Sequence, residues 1–396
     1  MSIKPLSGVR MLCVEQLMAL PFGTQLLADM GADVLCIESL DYAGDEAIPW
    51  RERTGRHKRR LSINLKDQRG AELVRRLAAD MDVFAENFRP GVMTRYGLDY
   101  ARLSALNQRL IYVSVSGYGH DDIFQSPFSN MAAYGPIGEA MSGITHAIRA
   151  GGGAGSLRLA LGDIVSSIYA AMGILAALRH RDLTGQGQRV DISMADALLT
   201  IGELPVVAAQ LAARGNHSQR GLANYPIGTF PTSDGDIILI VLTEVHWQSL
   251  CRLLEREDWL TDSRFNDPAQ RQAVLESEAL PVLRAWTGAR TKREAADQAR
   301  GAGLAAAPVN QPDDVLDDPH FAARDMLTSV ITPSGMPLRI VGNPIKLSAV
   351  ETGESPAPLQ LAAPGENTFD VLGETLGLSG AELDGLVADG IIGGRR

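Results

Sequence analysis

One carboxylate in this chain has a type and setting suited to chemistry. In the stretch LRLALGDIVSSIYAAMGILA (157–176), Asp163 follows Gly162 and opens a long, nearly uncharged apolar segment. Ionised side chains are rarely buried without a partner or a task. At a helix start a carboxylate sits in the positive end of the helix dipole, which keeps it ionised and available as a nucleophile. The same placement suits a plain N-cap, whose oxygen satisfies orphan backbone N–H groups. On this segment alone both readings stand.

Other groups could serve it. Arg51, Arg53, Arg56, His57, Lys58, Arg59 and Arg60 fall within one short stretch, and Arg89 and Arg95 lie further on. Such a cluster is either a solvated cationic face or a clamp for a phosphorylated ligand, because guanidinium and ammonium groups suit phosphate oxygens. Tyr118 stands between Gly117 and Gly119, where backbone can approach a ligand closely. Tyr118 and Tyr134 are equally suited to half-buried packing. His120 and His146 have no orienting partner nearby in sequence and read as surface or satisfied histidines.

The elements that must position these groups alternate strand and helix over the first ~120 residues. Strands are expected at 9–14, 33–37, 61–65, 83–85 and 110–115, and helices at 21–30, 68–79 and 103–106. This alternation implies an α/β fold with a mainly parallel sheet. Ligands then bind outside the carboxyl ends of the strands. Those ends are Glu15-Gln16-Leu17-Met18, Glu38-Ser39, Glu86-Asn87-Phe88-Arg89 and Ser116-Gly117-Tyr118-Gly119. Residues 125–156 read as looser, with Gly151–Gly155 a mobile connection; no Gly-Lys-Ser/Thr follows, so this is no phosphate loop. A buried core helix at 163–178, a strand at 189–192 and a helix to about 213 follow.

Near Arg214 the pattern changes. Ser233-Asp234-Gly235 between two apolar runs is a hairpin signal. Helices at 246–254, 271–286 (broken near Pro281) and 293–302, with a strand at 305–309, mark a smaller α+β domain. The organisation expected is a large domain at 1–205, a linker at 206–224, a small domain at 225–325, a linker at 326–342, and a return to the large domain at 343–396. Ser355–Pro364 reads as an exposed connector.

Composition excludes several classes. The chain has 396 residues, 45% of them hydrophobic and 21% charged, which is ordinary for a globular protein. A net charge of −10 argues against nucleic acid as a partner. No uncharged apolar run reaches the ~18 residues of a membrane span, and the N-terminus lacks a signal-peptide core. Cys13, Cys36 and Cys251 form no pattern, which fits a reducing cytoplasm. The seven histidines show no metal-ligand spacing.

Taken in order, LLADMGADVLCIE (26–38), RHKRRLSINLK (56–66), AENFRPGVMTRYGLD (85–99), VSVSGYG (113–119), EAMSG (139–143), LGD (161–163), LTGQGQRVDISMADALL (183–199), DGD (234–236) and NPIKLS (343–348) resemble the family III CoA-transferases of the CaiB/BaiF type. The resemblance spans nearly the whole chain. It implies that Asp163 is the nucleophile that becomes acylated. It places Lys58, Arg59, Asn87, Phe88 and Arg95 along the coenzyme A site, with Met18, Arg89, Tyr118 and Tyr134 also at the cofactor-binding side. Coenzyme A enters as a thioester substrate, and no permanently bound cofactor or metal is implied. The substrates implied are an acyl-CoA and a carboxylic acid. The fold implied is a large Rossmann-like domain whose parallel sheet is formed by both chain ends, plus a small α+β domain, in an obligate interlocked-ring homodimer. Tyr134 stands where the family's 2-methylacyl-CoA racemases carry a histidine base, which favours transfer over racemisation. Gly135 replaces an acidic residue of many members, Met18 replaces a glutamine, and residues 221–224 lack a run of glycines. These departures point away from formyl and oxalyl substrates and leave the acceptor open. A racemase and a non-enzymatic CoA-ester-binding protein are the alternatives.

Overall fold

The computed structural model describes residues 3–41, 53–120, 125–150, 159–215, 224–350 and 357–394. Chain contacts divide it into two units, residues 1–207 with 322–396, and residues 208–321.

The larger unit is built on six strands: β1 (Arg10–Val14), β2 (Asp33–Glu38), β3 (Lys58–Ile63), β4 (Val83–Glu86), β5 (Ile111–Ser116) and β6 (Arg189–Ser193). They are parallel in the order 3-2-1-4-5-6, and the terminal strand Ile392–Gly393 adds antiparallel to β3. This is the doubly wound dinucleotide-fold order, whose switch point lies between β1 and β4. Alternation along β1 sends Leu12 and Val14 to one face and Met11 and Cys13 to the other. On the first face lie α2 (Gln68–Ala78), α3 (Val92–Tyr96), α4 (Tyr100–Leu106) and two C-terminal helices, Thr368–Leu376 and Gly380–Ala388. On the second lie α1 (Pro21–Asp29) and the long α7 (Leu161–Thr184).

α7 extends beyond the expected 163–178 at both ends. It starts behind Ala160 in a left-handed conformation and stops at Gly185, also left-handed. Between β5 and α7 stand α5 (Gly135–Met141) and α6 (Ile144–Ala150), where a looser segment was expected. Glycine and proline hide α5 from a propensity reading. α5 packs against α7 where Gly135 and Gly162 let the two backbones approach, a Cβ on Gly162 falling 2.8 Å from the Gly135 Cα. Gly151–Gly155 lies outside the described residues. After β6 the expected single helix is two, α8 (Met194–Ile201) and α9 (Glu203–Ala213), bent by 64°.

Residues 326–342, expected as a connector, contain a hairpin of Leu327–Ile331 and Pro337–Val341, extended by Leu359–Gln360 from the expected loop 355–364. The turn at Gly335 (φ 85°) and the short apolar alternation give it no stronger sequence signal than a loop. Of 206–224, residues 206–213 belong to α9, and 216–223 are outside the described residues.

In the smaller unit, strands Ile227–Pro231, Asp236–Ile240 and Ala305–Pro308 form an antiparallel sheet. Trp247, Trp259 and Phe265 stack in its core. The fully buried Arg271 pairs with Glu244 and lies 4.4 Å from the Trp247 ring. The expected 271–286 helix is Pro268–Val274, a π-helical turn at Leu275–Ala279, and Leu280–Gly288. The widened turn precedes Pro281, whose ring would clash with an uninterrupted helix.

Candidate active site

A cavity of about 100 Å³ opens at the carboxyl ends of β1, β4 and β5. Its walls are Gln16 and Leu17 after β1, Asn87, Phe88 and Arg89 after β4, and Ser116 and Gly117 at the end of β5. Met131 and Tyr134 before α5, Asp163 of α7 and Met194 of α8 complete it. Asn87 ties two strand ends together. Its amide accepts from the Gln16 N–H at 2.9 Å and donates to the Gln16 carbonyl at 2.7 Å and to the Ala19 carbonyl. The loop so held carries left-handed Leu17 (φ 59°) and Leu20 (φ 88°), a backbone strain that the surroundings must sustain.

Asp163 is the third residue of α7, and no side chain caps that helix. The N-cap position belongs to Ala160, so capping does not account for this carboxylate. Burial, reinforced by the negative charge of Glu139, pushes its pKa up from 3.8 to about 6, against the pull of Arg53. The helix dipole therefore does not hold the group low, as the sequence suggested; desolvation outweighs it. An ideal Cβ on Gly135 would lie 3.3 Å from Asp163 Oδ2, so the glycine leaves one side of the carboxylate open. Glu139, one helical turn after Gly135, is 3% exposed. One turn after Asp163, Ser167 Oγ lies 2.7 Å from the Asp163 carbonyl and 3.1 Å from that of Met18, and accepts from the Leu20 N–H at 2.7 Å. The first α7 N–H groups have no acceptor within the helix.

Of the residues singled out from the sequence, Asp163, Asn87, Phe88, Arg89 and Tyr134 line this one cavity. Tyr134 is 60% exposed and precedes α5. Met18 is not among the residues lining the cavity; its carbonyl accepts from Ser167 Oγ, and its sulfur accepts from Arg53 Nη2 at 3.2 Å. Tyr118 packs its ring against Phe128 instead. Arg95 lies on the α3 surface beside Arg75 and Arg102, away from the cavity.

The basic cluster is largely neutralised. The Lys58 ammonium, 6% exposed, spends its three donors on Glu15 (2.5 Å), Thr24 (2.8 Å) and the Pro21 carbonyl (2.9 Å). Arg59 grips Asp33 with two bonds, Arg56 grips Asp29, and Arg60 pairs with Glu38. Buried cations require such partners, and parallel pairing of β1, β2 and β3 supplies them. An open phosphate clamp formed by Lys58 and Arg59 is therefore not what the strand presents. Arg51 lies outside the described residues. His120, buried between Asp191 (2.8 Å) and Glu86 (3.7 Å), is a satisfied histidine whose main partner lies 71 residues away; His146 is exposed on α6. Among the described residues no group of His, Cys, Asp and Glu could hold a metal ion.

Sequence reasoning missed Glu139 and Arg53 as neighbours of Asp163. Glu139 stood in the quoted EAMSG segment, and Arg53 was visible only as one charge of the cluster.

Comparison with known proteins places this site in context. The family model described as CoA-transferase family III matches residues 6–363. A succinyl-CoA:mesaconate CoA-transferase of Haloarcula hispanica is 31% identical, over 89% of this chain and 93% of its own. A formyl-CoA:oxalate CoA-transferase of Streptomyces avermitilis is 28% identical, over 98% of this chain and all of its own. The crystal structure of a CaiB/BaiF family protein from Brucella suis superposes with a TM-score of 0.76 at 28% identity, covering 94% of this chain and 99% of that one. The chain is a CoA-transferase enzyme belonging to family III.

Proposed function

We propose that this enzyme moves coenzyme A from an acyl-CoA to an acceptor carboxylic acid through covalent intermediates on Asp163. The observation that carries the reading is the Asp163 carboxylate, half-buried at the head of α7 in the switch-point cavity. An Asp163 oxygen attacks the thioester carbonyl carbon, the C–S bond breaks, and the thiolate leaves a mixed anhydride. The thiolate then attacks the Asp163 carbonyl carbon, expelling the donor acid and forming an aspartyl-CoA thioester. The acceptor carboxylate reverses both steps and restores the aspartate. Splitting the exchange this way is covalent catalysis. N–H groups of the first turn of α7, which have no acceptor inside the helix, are suited to the developing oxyanions. Asn87, Phe88 and Arg89 form the wall past which the coenzyme A moiety runs, and its binding energy positions the reacting carbonyl.

The working form is a cytoplasmic interlocked homodimer. Exposed Ile168 and Met172 on α7, Leu199 and Ile201 on α8, and Leu204 and Val207 on α9 support burial against a second subunit. Sedimentation at decreasing concentration should show a dimer throughout, and a folded monomer on dilution would remove it. The activity is tested with a panel of acyl-CoA donors and carboxylic acid acceptors, read as new acyl-CoA by mass spectrometry. Asp163→Ala should abolish every transfer the wild type performs; retention of full activity would overturn the assignment.

A further inference from the structure

Arg53 differs from the other cations of its cluster. Arg56, Lys58, Arg59 and Arg60 each hold a carboxylate. Arg53 is half-buried, and the contact that holds its guanidinium is the Met18 thioether at 3.2 Å, a weak acceptor. Among the described residues no Asp or Glu forms an ion pair with it. Met18 is in turn fixed to the turn of α7 that carries Asp163, because Ser167 Oγ reaches both the Met18 and Asp163 carbonyls. The guanidinium thus stands on a platform registered to Asp163. Asp163 is the negative group that acts on Arg53, and Arg53 is the positive group that acts on Asp163. The buried acid Glu139 also acts on Asp163, with the opposite sign.

We propose that Arg53 is the seat for the free carboxylate of the acid substrate. This inference rests on the covalent reading above. While Asp163 is ionised, its own negative charge opposes the approach of a second anion. Once Asp163 is an aspartyl-CoA thioester it carries no charge, and the positive charge of Arg53 remains beside it to draw an anion. An incoming acid arrives as an anion and would meet the field of Glu139; Arg53 offsets it with a charge-assisted hydrogen bond. One oxygen of the acid rests on the guanidinium. The other attacks the Asp163 carbonyl carbon, the C–S bond breaks, and coenzyme A leaves as thiolate. By reversibility the same seat receives the departing donor acid.

The test isolates the acid step. Wild-type enzyme and Arg53→Gln are loaded with acyl-CoA and freed of small molecules. Each is then mixed with the acid, an anionic nucleophile, or with hydroxylamine, a neutral one. Arg53→Gln should slow acyl-CoA formation from the acid about tenfold or more while changing the hydroxylamine reaction less than about twofold. Added guanidinium ion should restore part of the loss, and Arg53→Lys, which keeps the charge without the fork, should fall between. Equal slowing of both nucleophiles, or no slowing of either, would overturn the proposal. Loss of loading in both variants while the wild type loads would also overturn it, by assigning Arg53 to the donor step. If the wild type itself forms no aspartyl-CoA, the covalent reading fails instead.

Discussion

Replacing Asp163 by Asn should make the protein more stable while destroying transfer. The pKa raised from 3.8 to about 6 means that the fold favours the neutral carboxyl over the carboxylate. At about 1.36 kcal/mol per pH unit, that preference amounts to about 3 kcal/mol at full effect. The carboxylate is partly solvated, so screening reduces the figure to about 1–2 kcal/mol. The sign follows from linkage. A group whose folded pKa is raised contributes its stability fully below the unfolded value of 3.8 and loses it as pH rises through 6. The substituted amide is neutral throughout, so Asp163→Asn should match wild type near pH 3.5 and gain its full advantage above pH 7. Urea unfolding at the two pH values measures this directly. In thermal scans at pH 7.5 the gain should appear as roughly 1–3 °C. A variant less stable than wild type at pH 7.5, or a difference independent of pH, would refute the argument that burial strains this carboxylate. The same titration governs activity: donor kcat/KM in the wild type should fall about tenfold per pH unit below 6.

Gly135→Ala places a methyl 3.3 Å from Asp163 Oδ2 and should lower donor kcat/KM several-fold, with a thermal midpoint within a few degrees of wild type. Lys58→Met strands the buried Glu15 and should cost about 3–5 kcal/mol in urea unfolding; adding Glu15→Leu should recover most of it. Asn87→Ala releases three backbone groups of the Gln16–Ala19 loop, so it should cost about 1–3 kcal/mol and raise KM for the acyl-CoA donor while leaving the pH profile in place.

The strands that build the site were legible because parallel strands buried on both faces write apolar or β-branched runs, as in MLCV of β1 and IYVSV of β5. Their carboxyl ends then named Gln16, Leu17, Asn87, Phe88, Arg89, Ser116 and Gly117, all cavity residues. The ends Glu38-Ser39 and Tyr118 were in the same reading but do not line the cavity, which opens on the β4 and β5 side of β1. The pairing of the cations was not legible. Whether Arg59 meets Asp33 or a phosphate depends on the β2–β3 register, set by packing across 26 residues. The rise in the Asp163 pKa was hidden for the same reason: Glu139 and the walls that exclude water come from other elements. α5 and the 327–341 hairpin were invisible because contacts between elements, rather than local propensity, sustain them.

If the Asp163 carboxylate is itself exchanged during turnover, labelled oxygen follows the exchange. With an acceptor acid carrying heavy oxygen in both carboxylate positions, the bridging oxygen of the second anhydride stays on Asp163 when thiolate attacks the acyl carbon. Each turnover should therefore leave one heavy oxygen in the peptide that contains Asp163, rising to two over repeated cycles, with no label elsewhere. Transfer that proceeds while this peptide remains unlabelled would contradict the account.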